Sequence, residues 1–361
     1  MRAVAVFPDR REVGLIDHPE PRIASPAEVK IRMLEVGVCG TDRDICTFEY
    51  GSSPPDSDYF VLGHESLGEV VEAGPEARGF RRGDLVVGAV RLPCGSPGCS
   101  PCRAGRQDFC TTGDYRERGI KDLHGFMTEF VVEDYRNLHR LPRELRDIGV
   151  LVEPLTIAEK ALLELCAIER RLPFPRERRR AVVVGAGPIG LLGAMLLVAA
   201  GYDTWVYSRS RAPNPKAAIA EAIGAVYVSS QDEPADRFAA RAGSIDVVYE
   251  AAGAAQSAFD LLRCLGPNGV FILTGVPRRG ERIALDPHAL AWNLVTANQV
   301  VMGTVNAGAD AFAGAVRDLG VFLDRWPAAV RALITGRYPL ERFWEPVAGR
   351  VDGIKNVIVV G

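Results

Sequence analysis

The sequence lacks any long hydrophobic run. Its longest apolar stretch, 189–201 (IGLLGAMLLVAAG), is too short to cross a bilayer, and the opening MRAVAVFPDRRE lacks the charged-then-apolar order of a signal peptide. An excess of either charge is missing as well. The formal net charge is −3 and the pI near 6.0, which argues against a polyphosphate partner such as nucleic acid. Lysine is scarce: only Lys30, Lys121, Lys160, Lys216 and Lys355 among 43 basic residues, the rest being arginine. Those arginines form no tract beyond the short run 176–180 (RERRR), which reads as a solvated connection. No repeat of solenoid period and no low-complexity segment is present. Eight cysteines are too few for a secreted disulfide scaffold. What remains is ordinary globular composition, 47% apolar and 25% charged, in 361 residues, enough for two domains of about 150 residues or more. The expectation is a packed cytoplasmic protein with no membrane partner.

The chain changes character along its length. Segments 1–7, 29–36, 68–71 and 85–90 are short alternating or apolar runs broken by Gly and Pro, which predicts a β-rich first part over 1–155. Residues 153–172 carry a helical pattern, and Pro173 and Pro175 mark a linker. From Ala181 a strand–helix alternation begins. Strands are predicted at 182–184, 203–207, 226–228, 246–249 and 270–274, and helices at 189–200, 215–223 and 255–265. Continuous apolar strands between helices indicate an α/β, doubly wound parallel sheet over 173–305. The segment 308–361 returns to mixed helix and strand and ends in a strand at 356–360.

Gly185-Ala186-Gly187-Pro188-Ile189-Gly190 follows the first strand of that series and opens its first helix. This context turns a G-x-G-x-x-G pattern into a dinucleotide fingerprint. Gly185 permits the tight turn, Gly187 lets backbone approach a pyrophosphate, Gly190 lets helix and strand pack closely, and the helix N-terminus offers its N–H groups to the anion. At the end of the next strand, where an NAD site usually carries a carboxylate, the chain reads Tyr207-Ser208-Arg209-Ser210-Arg211. One hydroxyl and two guanidinium groups suit a 2′-phosphate, so NADP is expected to be preferred with NAD still used; the alternative is that both arginines are simply solvated.

Cys94, Cys99, Cys102 and Cys110 lie within 17 residues on a Gly/Pro-rich loop in the segment 91–115. Four soft ligands there suit a closed, tetrahedral structural Zn²⁺, with free thiols or an iron–sulfur cluster as competing readings. A second set is dispersed. Cys39 sits in GVCGTD (37–42), His64 and Glu65 in a segment with glycines at 63, 68 and 74, and Glu153 farther on. Singly, such residues are usually core side chains.

With these motifs in combination, the whole chain resembles the zinc-containing medium-chain dehydrogenase/reductase superfamily. The resemblance implies a β-rich, GroES-like catalytic domain with a four-cysteine zinc lobe, joined to a Rossmann domain. It further implies that Cys39 and His64 hold a catalytic zinc, that Glu65 and Glu153 supply or exchange the remaining place, and that Thr41 relays the substrate proton. Within the superfamily the chain is similar to the archaeal-type glucose (aldose) 1-dehydrogenases. That likeness rests on GRQDFC (105–110) with Thr112-Gly113, Gly119-Ile120 and HGFM (124–127), LVEPL (151–155) with Glu159-Lys160-Ala161, and GTVN (303–306). It implies that Glu117, Glu153 and Asn306 contact a sugar and that Val276 and Asn306 contact the cofactor. Two features depart from the subfamily. The first cysteine gap is four residues rather than two, so the lobe must bulge or hold its metal less tightly; Ile157 and Thr296 replace polar sugar contacts of some members.

The implied chemistry is oxidation of an aldose at its anomeric hydroxyl to a lactone, with zinc as Lewis acid and hydride passing to the nicotinamide in the interdomain cleft. A homo-oligomer, dimer or tetramer, is expected. A zinc polyol or secondary-alcohol dehydrogenase shares every motif except the subfamily segments. A non-catalytic zinc ribbon that binds nucleic acid is disfavoured because Arg91, Arg103 and Arg106 are partly balanced by Asp108 and Asp114.

Overall fold

The computed structural model describes residues 1–175, 179–277, 282–349 and 351–361; most of the basic run, 176–178, lies outside them. The chain divides into two compact units. One comprises Met1–Thr156, Asn306–Leu323 and Leu333–Gly361, the other Ile157–Val305 and Asp324–Ala332.

The first unit is built on a mainly antiparallel sheet in the order Leu138–Leu141, Leu85–Gly88, Glu65–Ala73, Glu28–Gly37, Lys355–Val359 and Ile334–Pro339, with Phe130–Asp134 also paired to Glu28–Gly37. Two three-stranded sheets accompany it: Glu12–Asp17, Arg2–Phe7 and Phe60–Val61; and Arg91–Leu92, Arg116–Arg118 and Asp122–Leu123. Inward-facing residues such as Val29, Ile31, Met33, Phe60, Leu62, Val70, Phe126 and Ile358 close a core at near-zero exposure. In Glu28–Gly37 the first residues alternate between core and solvent, and the last ones are all buried. The segment Val36-Gly37-Val38 that leads to Cys39 is thereby anchored in the core.

The second unit holds an all-parallel six-stranded sheet in the order Val226–Ser229, Asp203–Ser208, Arg180–Val184, Ile245–Glu250, Leu265–Leu273 and Val300–Gly303. This is the 3-2-1-4-5-6 order of doubly wound dinucleotide-binding sheets. Both faces are covered, so Ala181, Val182 and Val183 are fully buried without alternation.

Two predicted helices end early. The one expected over 255–265 stops at Leu261, passes through a 3₁₀ turn at Leu262–Cys264, and Leu265 already belongs to the next strand. Leu261, Leu262 and Leu265 keep helical spacing, but Gly266-Pro267 cannot continue a helix, and the register against Ile245–Glu250 shifts at this point. The one expected over 153–172 runs Val152–Glu169 and finishes in a turn before Pro173.

Candidate active site

Cys39 stands at the entry of the short helix Gly40–Ile45. Asp42, fully buried, accepts the backbone N–H of Cys39 at 2.8 Å and so fixes the turn that presents the thiol. Thr41 Oγ1 lies 3.8 Å from the Cys39 sulfur. The chain reaches His64 through Gly63, whose φ of +89° reverses direction just before the strand Glu65–Ala73. Strand pairing sets Glu65 opposite Gly37, which brings the two segments together.

Donor atoms of Cys39, His64 and Glu65 lie within 4.8 Å of one another. His64 Nδ1 faces Asp42 Oδ1 at 3.5 Å; both atoms are buried, and neither has a hydrogen-bond partner among the described residues. Burial works against a charge on this imidazole, but Asp42 and Cys39 outweigh it and hold its pKa well above the usual histidine value. Glu65 is bound by Lys355, whose Nζ also donates to the carbonyl of Val38. Glu153, near the start of Val152–Glu169, stays outside the 4.8 Å set. Burial pushes its carboxyl up to about 7, with neighbouring His64 and Lys355 acting in the opposite sense. A half-buried thiol with a buried imidazole and carboxylate, set by the further carboxylate of Asp42, is a donor set that fits a catalytic zinc with an open place.

Cys94, Cys99, Cys102 and Cys110 also converge, their sulfurs within 4.8 Å. The long first gap is taken up by the exposed Pro97-Gly98, so the loop bulges outward while Cys99 and Cys102 stay buried. Backbone donors at Thr111 and Cys102 bring the Cys99 thiol down to about 5, and the Thr112 hydroxyl lowers Cys110. Four converging sulfurs with no disulfide between them fit a structural zinc.

Glu117 and Asn306 meet across 189 residues of sequence. Asn306 Nδ2 donates to Glu117 Oε1 at 2.8 Å, and Asn306 itself holds the left-handed conformation, φ 61°.

In the second unit the fingerprint lies between Arg180–Val184 and the helix Pro188–Ala199. Gly185 has φ +102°, and a Cβ there would meet Ala252 Cβ at 2.8 Å. At Gly187 a Cβ would find open space, as an approaching phosphate requires. Pro188, Ile189 and Gly190 form the first turn of the helix. Ser208 closes the strand Asp203–Ser208; Arg209 and Arg211 are exposed, and Arg211 Nε pairs with Asp232 at 2.8 Å. Val276 is 83% exposed within a loop braced by Glu250, whose carboxylate accepts N–H from Ala252 and Gly275. Ile157 is half-buried, and the Thr296 hydroxyl is turned back onto the carbonyl of Trp292.

Asp42, Lys355, Arg91 and Glu250 support these sites with no role assigned to them from the sequence. Asp42 stood inside the GVCGTD segment and Lys355 was one of five lysines, placed just before a predicted strand, so both carried a signal. For Glu250, beyond its place at a strand end, there was none.

Residues 146–360 match the family model described as glucose dehydrogenase C-terminus, and residues 25–143 match the alcohol dehydrogenase GroES-like domain. The chain belongs to the glucose dehydrogenase family. It is 38% identical to the glucose 1-dehydrogenase of Methanocella arvoryzae over 363 residues, covering 100% of both chains. With the Thermoproteus tenax glucose 1-dehydrogenase it shares 38% identity over 100% of this chain and 99% of that one. Among solved structures, Haloferax mediterranei glucose dehydrogenase in complex with NADP, Zn and gluconolactone matches with a TM-score of 0.89 at 34% identity, covering 100% of this chain and 99% of that one. The fold is therefore the medium-chain dehydrogenase fold, a GroES-like domain with a Rossmann-like parallel sheet. Among the described residues, no helix is long and apolar enough to cross a membrane.

Proposed function

We propose that this chain is a zinc-dependent aldose 1-dehydrogenase that oxidises glucose or a close relative to its lactone with NADP. The observation that carries the reading is the convergence of Cys39, His64 and Glu65 within 4.8 Å in a chain of this family. Cys39 and His64, with Glu65 or Glu153 at the remaining place, would hold a zinc ion, which would supply a Lewis acid for the anomeric hydroxyl. The protein's own side chains do the rest. Asp42 fixes the Cys39 turn and faces the His64 ring, so both donors are set before substrate arrives. Thr41 carries the hydroxyl proton outward, and Glu117, Glu153 and Asn306 hold the other sugar hydroxyls, which orients the C1–H bond toward the hydride acceptor that a bound nicotinamide would supply. Products are lactone, NADPH and a proton.

For the dinucleotide, the turn 185–190 and the N-terminus of Pro188–Ala199 receive the pyrophosphate, Ser208, Arg209 and Arg211 the 2′-phosphate, and Val276 and Asn306 the nicotinamide side. Homo-oligomer formation is supported by the edge strand Val300–Gly303, with Val301 exposed, and by the exposed Trp292 and Val295 nearby in sequence. The eight unpaired cysteines agree with a reducing, cytoplasmic compartment.

Nicotinamide reduction with glucose, galactose, xylose, sorbitol and 2-propanol tests the reading. Aldoses should exceed simple alcohols in kcat/KM by about two decades or more, because a ligand without sugar hydroxyls leaves buried polar groups unpaired. Comparable efficiency on 2-propanol would end it, and a preference for sorbitol would make the enzyme a polyol dehydrogenase.

A further inference from the structure

Arg91 is buried, and strand pairing sets it directly opposite Glu117. Its Nε and Nη2 both reach Glu117 Oε1, at 3.0 and 2.9 Å. Asn306 Nδ2 adds a second hydrogen bond to the same oxygen at 2.8 Å. Two hydrogen bonds and the ion pair from Nη2 occupy Oε1 and leave Oε2 without a donor among the described residues. The guanidinium is itself held: its carbon lies 3.7 Å from the centroid of the Tyr115 ring, and Nη1 extends toward the carbonyl of Asp108 at 3.5 Å. The backbone of Glu117 is fixed as well, since Glu117 and Lys121 exchange N–H···O=C bonds of 2.8 and 2.9 Å.

From this geometry we propose that Arg91 is a positioning residue for the sugar: it commits one oxygen of Glu117 and so presents the other, in a single orientation, to a substrate hydroxyl. A carboxylate free to rotate would offer either oxygen and would lose orientational freedom on binding the sugar. The inference deepens the reading above and rests on Glu117 being a sugar contact.

The test is kinetic. Arg91→Met should raise KM for glucose by about 10-fold or more while kcat stays within about 3-fold and KM for NADP is unchanged, because the lost interaction serves substrate binding and not the hydride step. Gluconolactone affinity, measured by calorimetry, should fall in parallel, and zinc per protomer should match the parent. Arg91→Lys keeps the charge without the two-pronged grip and should fall between. Glu117→Gln should raise glucose KM too, and adding Arg91→Met to it should change little further, since the arginine acts through that carboxylate. Should Arg91→Met fail to fold, Arg91→Lys and the Glu117→Gln background carry the test. Unchanged glucose KM in Arg91→Lys and Arg91→Met, or an equal loss of kcat and of NADP binding, would overturn the proposal. A parent enzyme inactive on every aldose would instead overturn the function itself, and the role of Arg91 with it.

Discussion

Lys355 Nζ donates to both carboxylate oxygens of Glu65, each at 2.6 Å, with both side chains almost wholly removed from solvent. Glu65 is one of three converging candidate metal donors, so any bond it makes to a metal competes with the ammonium group. Lys355 thereby fixes both oxygens of Glu65 beside Cys39 and His64.

Removing the cation alone leaves a buried anion. Lys355→Met should therefore cost about 3–5 kcal/mol in denaturant unfolding, whereas Lys355→Met combined with Glu65→Gln should recover more than half of it. A loss below about 1 kcal/mol for the single variant would show that the pair does not hold this part of the fold together.

The two donor sets should behave differently on mutation and on metal removal. About two zinc ions per protomer are expected, one for each set. Cys39→Ser or His64→Ala should abolish turnover in a folded protein that still binds dinucleotide, as read by calorimetry, whereas Cys102→Ser should first lower Tm. Full activity after exhaustive chelation, verified by elemental analysis, would exclude the zinc mechanism.

Arg209 and Arg211 should decide the dinucleotide. Each charge-assisted bond to a 2′-phosphate is worth about 1.5–3 kcal/mol, or one to two decades in affinity. The double change to Ala should raise KM for NADP far more than KM for NAD, with kcat nearly unchanged. Arg211 shares its guanidinium with the exposed Asp232, a pair weak enough in solvent to yield to a phosphate. An unaltered NADP/NAD ratio would reduce both arginines to ordinary surface charges.

How much of this was legible in the sequence follows from the range of the interactions. The strand, G-x-G-x-x-G turn and helix of the second unit are local, and each element announced itself by periodicity or by glycine. The four cysteines were equally plain because one loop carries them all. By contrast, Glu28–Gly37 pairs with Lys355–Val359, and neither segment advertises the other. The Lys355–Glu65 contact depends on such pairings, and the Asn306–Glu117 contact spans 189 residues, so neither could be read from spacing. Gathering Cys39, His64 and Glu65 needed family resemblance, since no single residue among them differs from a core side chain. Arg91 was noted only as a charge near the cysteines, because its partner becomes visible only in the strand register that sets it opposite Glu117.

The same long-range pairing orders events during synthesis. On the ribosome, Glu65 emerges about 290 residues before the lysine that neutralises it. The parallel sheet of the second unit, drawn from one continuous stretch, is complete while the sheet that carries Glu65 still lacks Lys355–Val359 and Ile334–Pro339 at one end. Glu65 is thus without its cation until the chain is almost complete, whereas the four cysteines come together within 17 residues of sequence.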